Sequence, residues 1–234
     1  MDNEVLAVIP AYNEEQTVAG VIAGIRRTAP WADVVVVCDG CTDNTGDVAR
    51  AEGVAVIVLP YNMGYGAALQ TGFRYAVRKG YERVVHLDAD GQHDPACIPD
   101  LLRPIARGEA DVAIGSRFLK PGYRAGFMRR IGTLVFGWIA SLLIGQRITD
   151  PTSGFQAMNR DALVRVFAGD HFPPDFPDAD VVVMLHRAGF SIVEVPVEMH
   201  PRTGRKSMHS GLKPVYYTFK MFLSIFMSVL RKKP

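Results

Sequence analysis

Five short apolar runs constrain this chain more than anything else in it. They are Val5-Leu6-Ala7-Val8-Ile9, Val34 to Cys38, Val54 to Leu59, Arg83 to Leu87 and Asp111 to Gly115. None alternates polar with apolar residues, so each reads as a strand covered on both faces. The intervals between them have helix length. Pro10 is expected to stop the first strand, after which Asn13 can cap a helix opening at Glu14-Glu15 and running to about Arg27. A second helix is predicted to start at Asp39-Gly40-Cys41-Thr42-Asp43. Asn62-Met63-Gly64-Tyr65-Gly66 opens a third that runs to about Lys79. This alternation predicts an α/β fold with a mostly parallel sheet and helices on both faces. At 234 residues and 48% hydrophobic content, the chain can bury one substantial core.

Ligands of such sheets bind outside the carboxyl ends of the strands, and every polar motif of this chain follows a strand. Asp88-Ala89-Asp90 comes directly after Arg83 to Leu87. Hard carboxylate oxygens grouped at a strand end suit Mg²⁺ or Mn²⁺, above all when a diphosphate also holds the ion. The same two residues can instead cap the next helix or make an Asx turn. Gly64 and Gly66 can bring backbone N–H groups near a phosphate, or simply form a turn. Asp39 can hydrogen-bond a base or ribose, or cap a helix. Glu14 can complement a helix dipole. A diphosphate and a divalent ion at one rim indicate a nucleotide-diphosphate donor. The chain has no phosphate-loop lysine motif that would make it a kinase or ATPase.

The net charge of +2 hides an uneven distribution. From Val112 to Thr149 there are six Lys or Arg and no acid, and from Met199 to Pro234 eight and no acid. These basic, apolar-rich segments suit an anionic surface such as lipid headgroups. Nucleic acid is not an expected partner. Cys38, Cys41 and Cys97 make no disulfide framework. Cys38-x-x-Cys41 has redox spacing but does not open a helix in the thioredoxin manner, and a zinc site needs about four ligands. No signal segment precedes the first strand, so the catalytic body is expected on the cytosolic side.

Five motifs occur in order with suitable spacing: Pro10-Ala11-Tyr12-Asn13-Glu14, Asp39-Gly40-Cys41-Thr42-Asp43, Asn62-Met63-Gly64-Tyr65-Gly66, Asp88-Ala89-Asp90-Gly91-Gln92-His93 and Gly115-Ser116-Arg117. Together they resemble the family 2 inverting glycosyltransferases of the dolichol-phosphate mannosyltransferase type. The likeness continues through Asp150-Pro151-Thr152-Ser153-Gly154-Phe155 and Ile192-Val193-Glu194-Val195-Pro196-Val197 to the tail. It implies a GT-A fold, a GDP- or UDP-sugar donor, a polyprenyl phosphate acceptor and transfer with inversion. By position, Pro10, Tyr12, Glu14 and Asp39 would hold the nucleoside. Asp88, Asp90 and Gln92 would hold the metal and diphosphate, with Asp90 and Gln92 on the metal and Asp88 close by. Arg117, Arg129 or Arg130, and Arg202 fall where the family binds the acceptor phosphate. Their acid-free surroundings leave them no local carboxylate, which favours an external anion. Asp180, after Asp178, stands where the family carries an acid near the sugar.

The chain departs from the family at Cys38, where the first of two acids is common, and at Cys41, where Ser is usual. Met208 stands in place of an acceptor-motif lysine, and Lys206 or Arg205 could supply that charge. An attacking phosphate is already anionic and needs no general base. If the acceptor were instead a hydroxyl of a polysaccharide, lipid or protein, Asp180 would be the base. A sugar-nucleotide or membrane-binding protein without catalysis is the third reading, and the intact metal ligands oppose it.

Residues 1–210 read as the catalytic domain. Within it, about 127–145 forms an interfacial helix, because the uncharged run Ile131 to Gly145 would span only ~22 Å against the ~30 Å of a bilayer core. In 211–234, Lys213, Tyr217, Lys220, Ser224, Ser228 and Arg231 make one polar stripe on an otherwise apolar helix. Such a helix docks on membrane or packs in a homo-oligomer, and Arg231-Lys232-Lys233 favours the anionic cytoplasmic face, as a peripheral association.

Overall fold

The computed structural model describes residues 4–120, 136–139, 141–167 and 179–200. In chain order the elements are β1 (Val5–Ala11), α1 (Val18–Thr28), β2 (Asp33–Asp39), α2 (Thr45–Ala51), β3 (Ala55–Leu59), α3 (Tyr65–Lys79) and β4 (Arg83–His86). Then come α4 (Ile98–Ala106), β5 (Val112–Ser116), β6 (Gln156–Asn159), α5 (Ala179–Arg187) and β7 (Ile192–Pro196). Residues 136–139 and 141–144 are also helical, and Arg160–Ala162 continues into a π-helical turn, Leu163–Phe167.

The strands form one seven-stranded sheet in the order β3-β2-β1-β4-β6-β5-β7. All neighbours are parallel except the two pairs that involve β6. The apolar runs are continuous because the sheet is covered on both sides. Val5, Ala7, Ile9 and Ala11 of β1 join the core beneath α1 and α4, whereas Leu6 and Val8 join the one beneath α3 and α5. A strand with only one packed face would alternate instead.

Three expectations need correction. First, Pro10 does not stop β1, which runs on to Ala11 beside Cys38. Val8 accepts from Leu87 N on the β4 side. Pro10, two residues on, turns its missing donor to that same side, where β4 has already ended at His86. Second, Asn13 caps no helix. It sits in the left-handed region at φ 57° and α1 begins later, at Val18, after a turn closed by Thr17 N and Val18 N on Glu14 O. Third, the sheet is not built from the five apolar runs alone, because β6 lies outside them. It inserts antiparallel between β4 and β5, and so brings the Asp150–Phe155 loop to the rim next to Asp88.

Candidate active site

The ends of β1, β2 and β4 and the start of α3 lie along one rim of the sheet. The β1 and β2 loops are interlocked. Asn13 Oδ1 accepts from Thr42 N at 2.8 Å, Glu15 Oε2 from Asn44 N at 3.1 Å, and Thr45 Oγ1 from Glu14 N at 2.8 Å. Asp43 takes Thr45 N at 3.0 Å and Glu15 N at 3.3 Å. Burial opposes its ionisation, but the bonds from Thr45 and Glu15 outweigh that and hold its carboxyl below the ordinary value. Within this frame Pro10 is buried in β1, Glu14 is half-buried, and Tyr12 is exposed over 43% of its surface.

Asp39, buried at the end of β2, accepts from Met63 N at 2.7 Å and Gly64 N at 2.9 Å. It therefore fixes the turn that enters α3 and does not cap α2. Gly40 makes this approach possible. Its φ is +63°, and a Cβ there would lie 2.3 Å from Asn62 N and from the carbonyl carbon of Tyr61. Only glycine fits. Cys38 is buried beside these residues, and burial pushes its thiol up to about 12. Cys41 donates to Ala11 O at 3.3 Å. Both are free cysteines.

Asp88 receives two side chains. Tyr65 OH donates to Oδ1 at 2.9 Å, and His93 Nε2 lies 3.2 Å from Oδ2. Burial opposes ionisation of Asp88, but the bonds from His93 and Tyr65 outweigh it and hold the carboxyl below its usual value. His86 nearby is pushed down to about 4 by burial, which the charge of Asp88 only partly offsets. Asp90 Oδ1 accepts from Gln92 N at 3.0 Å and so closes an Asx turn. Among the described residues no three His, Cys, Asp or Glu side chains form a metal cluster.

On the far side of Asp88, Arg117 does have a carboxylate partner, contrary to the expectation from its acid-free segment. Its guanidinium is buried and paired with the fully buried Asp150, Nε to Oδ2 at 2.5 Å and Nη2 to Oδ1 at 3.0 Å. The acid-free run ends at Thr149, one residue short of the partner. Glu194 of β7 secures the same loop, accepting from Thr149 N and Asp150 N at 2.8 Å each. Burial raises the Glu194 carboxyl, and these bonds only partly offset it. Residues 198–200 run beside 92–94. His93 bridges Met199, His200 N donates to Gln92 O at 2.7 Å, and Lys120 pairs with Glu198 at 2.8 Å.

Arg129, Arg130, Asp178, Arg202, Lys206 and Met208 lie outside the described residues, as do 201–234 and the first part of the 127–145 segment. Asp180 is the second residue of α5, and its side chain is also outside them. The helical residues from 136 to 144 bury Phe136 and Ile144 but expose Trp138 at 68% and Leu142 at 69%. That segment is both a core helix and an exposed apolar face. Among the described residues no helix is long and apolar enough to cross a membrane. Sequence reasoning assigned no role to Tyr65, His93, Asp150, Gly154 or Glu194, although each lies within or beside a quoted motif.

Comparison with known proteins agrees with this geometry. Residues 6–167 match the family model "Glycosyl transferase family 2". The undecaprenyl-phosphate mannosyltransferase of Micrococcus luteus is 34% identical over 88% of this chain and 88% of its own length. The polyprenol monophosphomannose synthase of Mycolicibacterium smegmatis is 32% identical over 88% and 81%. Among solved structures, glucosyl-3-phosphoglycerate synthase from Mycobacterium tuberculosis superposes with a TM-score of 0.75 at 22% identity, over 96% of this chain and 79% of that one. The same enzyme with Mn²⁺ and UDP-glucose gives 0.71 at 22%, over 96% and 78%. The fold is thus GT-A-like, and the chain belongs to family 2 of the glycosyltransferases and is a glycosyltransferase.

Proposed function

We propose that the enzyme moves a monosaccharide from a nucleotide-diphosphate sugar to a polyprenyl phosphate, with inversion. Its similarity over 88% of its length to two enzymes named for polyprenyl-phosphate mannose transfer carries this reading. The rim motifs support the donor half. Tyr12 and the interlocked β1 and β2 loops would hold the nucleoside, with Glu14, and Asp39 would set the turn whose Gly64 and Gly66 face the diphosphate.

Asp88, Asp90 and Gln92 would hold Mg²⁺ or Mn²⁺, and their hard oxygens suit either ion. Space also fits, because Gly154 lies bare against Asp88, where a Cβ would meet Oδ2 at 3.3 Å. A bound divalent ion would neutralise charge on the departing diphosphate. An acceptor phosphate oxygen forms the new bond to the anomeric carbon as the bond to the diphosphate breaks. No proton has to move in that step.

Arg129, Arg130, Arg202 and Lys206 are the cations we assign to the acceptor phosphate. Arg117, neutralised by Asp150, would act on it through the loop that it braces. Trp138, Leu142 and the 211–234 segment would rest on the membrane surface that carries such an acceptor.

The test is to incubate the protein with Mg²⁺ or Mn²⁺, undecaprenyl phosphate and a panel of radiolabelled UDP- and GDP-sugars. A labelled lipid phosphate is expected. Transfer only to hydroxyl acceptors, abolished in Asp180→Asn, would replace this reading with the alternative.

A further inference from the structure

We infer that Tyr65 and His93 are a pair of positioning residues that fix the Asp88 carboxylate from two sides, with Gly154 as the surface against which it lies. This rests on the donor reading above.

The two donors come from separate elements. Tyr65 is the first residue of α3, placed by the turn that Asp39 ties down, and its hydroxyl takes Oδ1 at 2.9 Å. His93 follows β4 and takes Oδ2 at 3.2 Å. His93 is only 3% exposed, its ring lies 5.1 Å from that of Phe155, and the bridge to Met199 fixes its backbone. Its Nδ1 is buried with no hydrogen-bond partner. A buried N–H without an acceptor is costly, so the proton belongs on Nε2, aimed at Asp88. The ring thus donates through Nε2, and its polar partner among the described residues is Asp88.

Tyr65 and His93 each engage a different oxygen of the carboxylate. Each carboxylate oxygen keeps a further lone-pair site after one bond. A carboxylate fixed in rotamer with lone-pair sites to spare is what a divalent cation or a developing positive charge on a sugar requires. Arg117 and Asp150, by contrast, neutralise each other.

Three variants separate hydrogen bonding from packing. His93→Phe keeps a ring against Phe155 and removes the donor. His93→Gln loses the ring and restores an amide N–H near the Nε2 position. Tyr65→Phe removes one oxygen. The readouts are titration calorimetry of Mn²⁺ with UDP or GDP, kcat against donor KM, and long-range ¹H–¹⁵N spectra of His93.

The expected order of kcat is wild type, then His93→Gln, then His93→Phe. Tyr65→Phe should lie about tenfold below wild type, a loss of one hydrogen bond to a charged group. Metal–nucleotide affinity should fall in the same order, and wild-type His93 should show the Nε2–H tautomer. Higher activity and tighter binding in His93→Phe than in His93→Gln would overturn the inference in favour of packing. So would a Nδ1–H tautomer, which needs no ligand to observe, or a Tyr65→Phe variant that matches wild type. Failure of the wild type to bind Mn²⁺ with either nucleotide would refute the donor reading and leave the tautomer to decide the geometry. If the His93 variants do not fold, Tyr65→Phe and the tautomer decide.

Discussion

The two sides of the rim meet at Asp88 but are held by different means. On the β1–β2 side, carboxylates are bound by backbone N–H groups, hydroxyls and one imidazole. Asp39 takes Met63 N and Gly64 N, Asp43 takes Thr45 and Glu15, and Asp88 takes Tyr65 and His93. On the β5–β7 side, Asp150 is met by the guanidinium of Arg117. The first arrangement leaves negative charge directed at a site. The second removes charge from the interior and uses the pair to brace a loop between β5 and β6. A donor complex that brings its own cations fits the first side, whereas the second has to be rigid before it can present anything.

The two sides differ most at the buried pair. Arg117→Met leaves Asp150 charged and uncompensated at 0% exposure, which is expected to cost about 3–5 kcal/mol of stability. Arg117→Met with Asp150→Leu should recover much of that in urea unfolding, because the uncompensated charge is gone. If the single variant unfolds like wild type, the pair is not a structural brace. Metal–nucleotide binding should weaken less in either variant that folds than in a variant at Asp88, since the pair reaches that carboxylate only through Gly154 and Phe155 of the loop that it braces.

Asp39→Asn tests the opposite side. An amide can accept at only one oxygen and would set its NH₂ against a second backbone N–H, so the turn should loosen at a cost of about 1–3 kcal/mol. Weaker UDP or GDP binding is expected with little change in the Arg117–Asp150 region, read by amide exchange in residues 149–156. Equal loosening of both regions would mean that the rim is one cooperative unit. Gly40→Ala should give the same donor defect by steric means, and comparison with Asp39→Asn separates backbone clash from lost hydrogen bonds.

The same contrast explains what the sequence revealed. Strands β1 to β5 were legible because a parallel sheet packed on both faces demands unbroken apolar runs, and the rim motifs were legible because they follow those runs. β6 was not. Gln156-Ala157-Met158-Asn159 has no β-branched residue, and its place between β4 and β5 comes from tertiary pairing. The partner of Arg117 was hidden for a related reason. Counting acids along the segment could not detect that Asp150, 33 residues on, folds back onto its guanidinium. Asn13 looked like a helix cap because its type and position suit one, yet its carboxamide is engaged by Thr42, which only the β1–β2 packing brings near.

The smallest effect expected is the dependence on acid, and it compares the rim with the opposite end of the sheet. Asp43 at the rim and Asp111 at the start of β5 are both held below the ordinary carboxylate value against the opposing effect of burial. Thr45 and Glu15 supply the bonds at Asp43, and Ser191 and Asn159 supply them at Asp111. A carboxyl depressed in the folded state stabilises the protein above its unfolded value, near pH 3.9, and that contribution is lost as pH falls through the folded value. Urea midpoints measured from pH 7 down to pH 3 should therefore fall less steeply in Asp43→Asn and in Asp111→Asn than in wild type. The Asp43 variant should also show weaker nucleotide binding at pH 7, whereas the Asp111 variant should not, because Asp111 ties β5 to Ser191 far from the carboxyl ends. If Asp111→Asn impaired binding as much as Asp43→Asn, the interlocked β1 and β2 loops would have no special part in shaping the donor side.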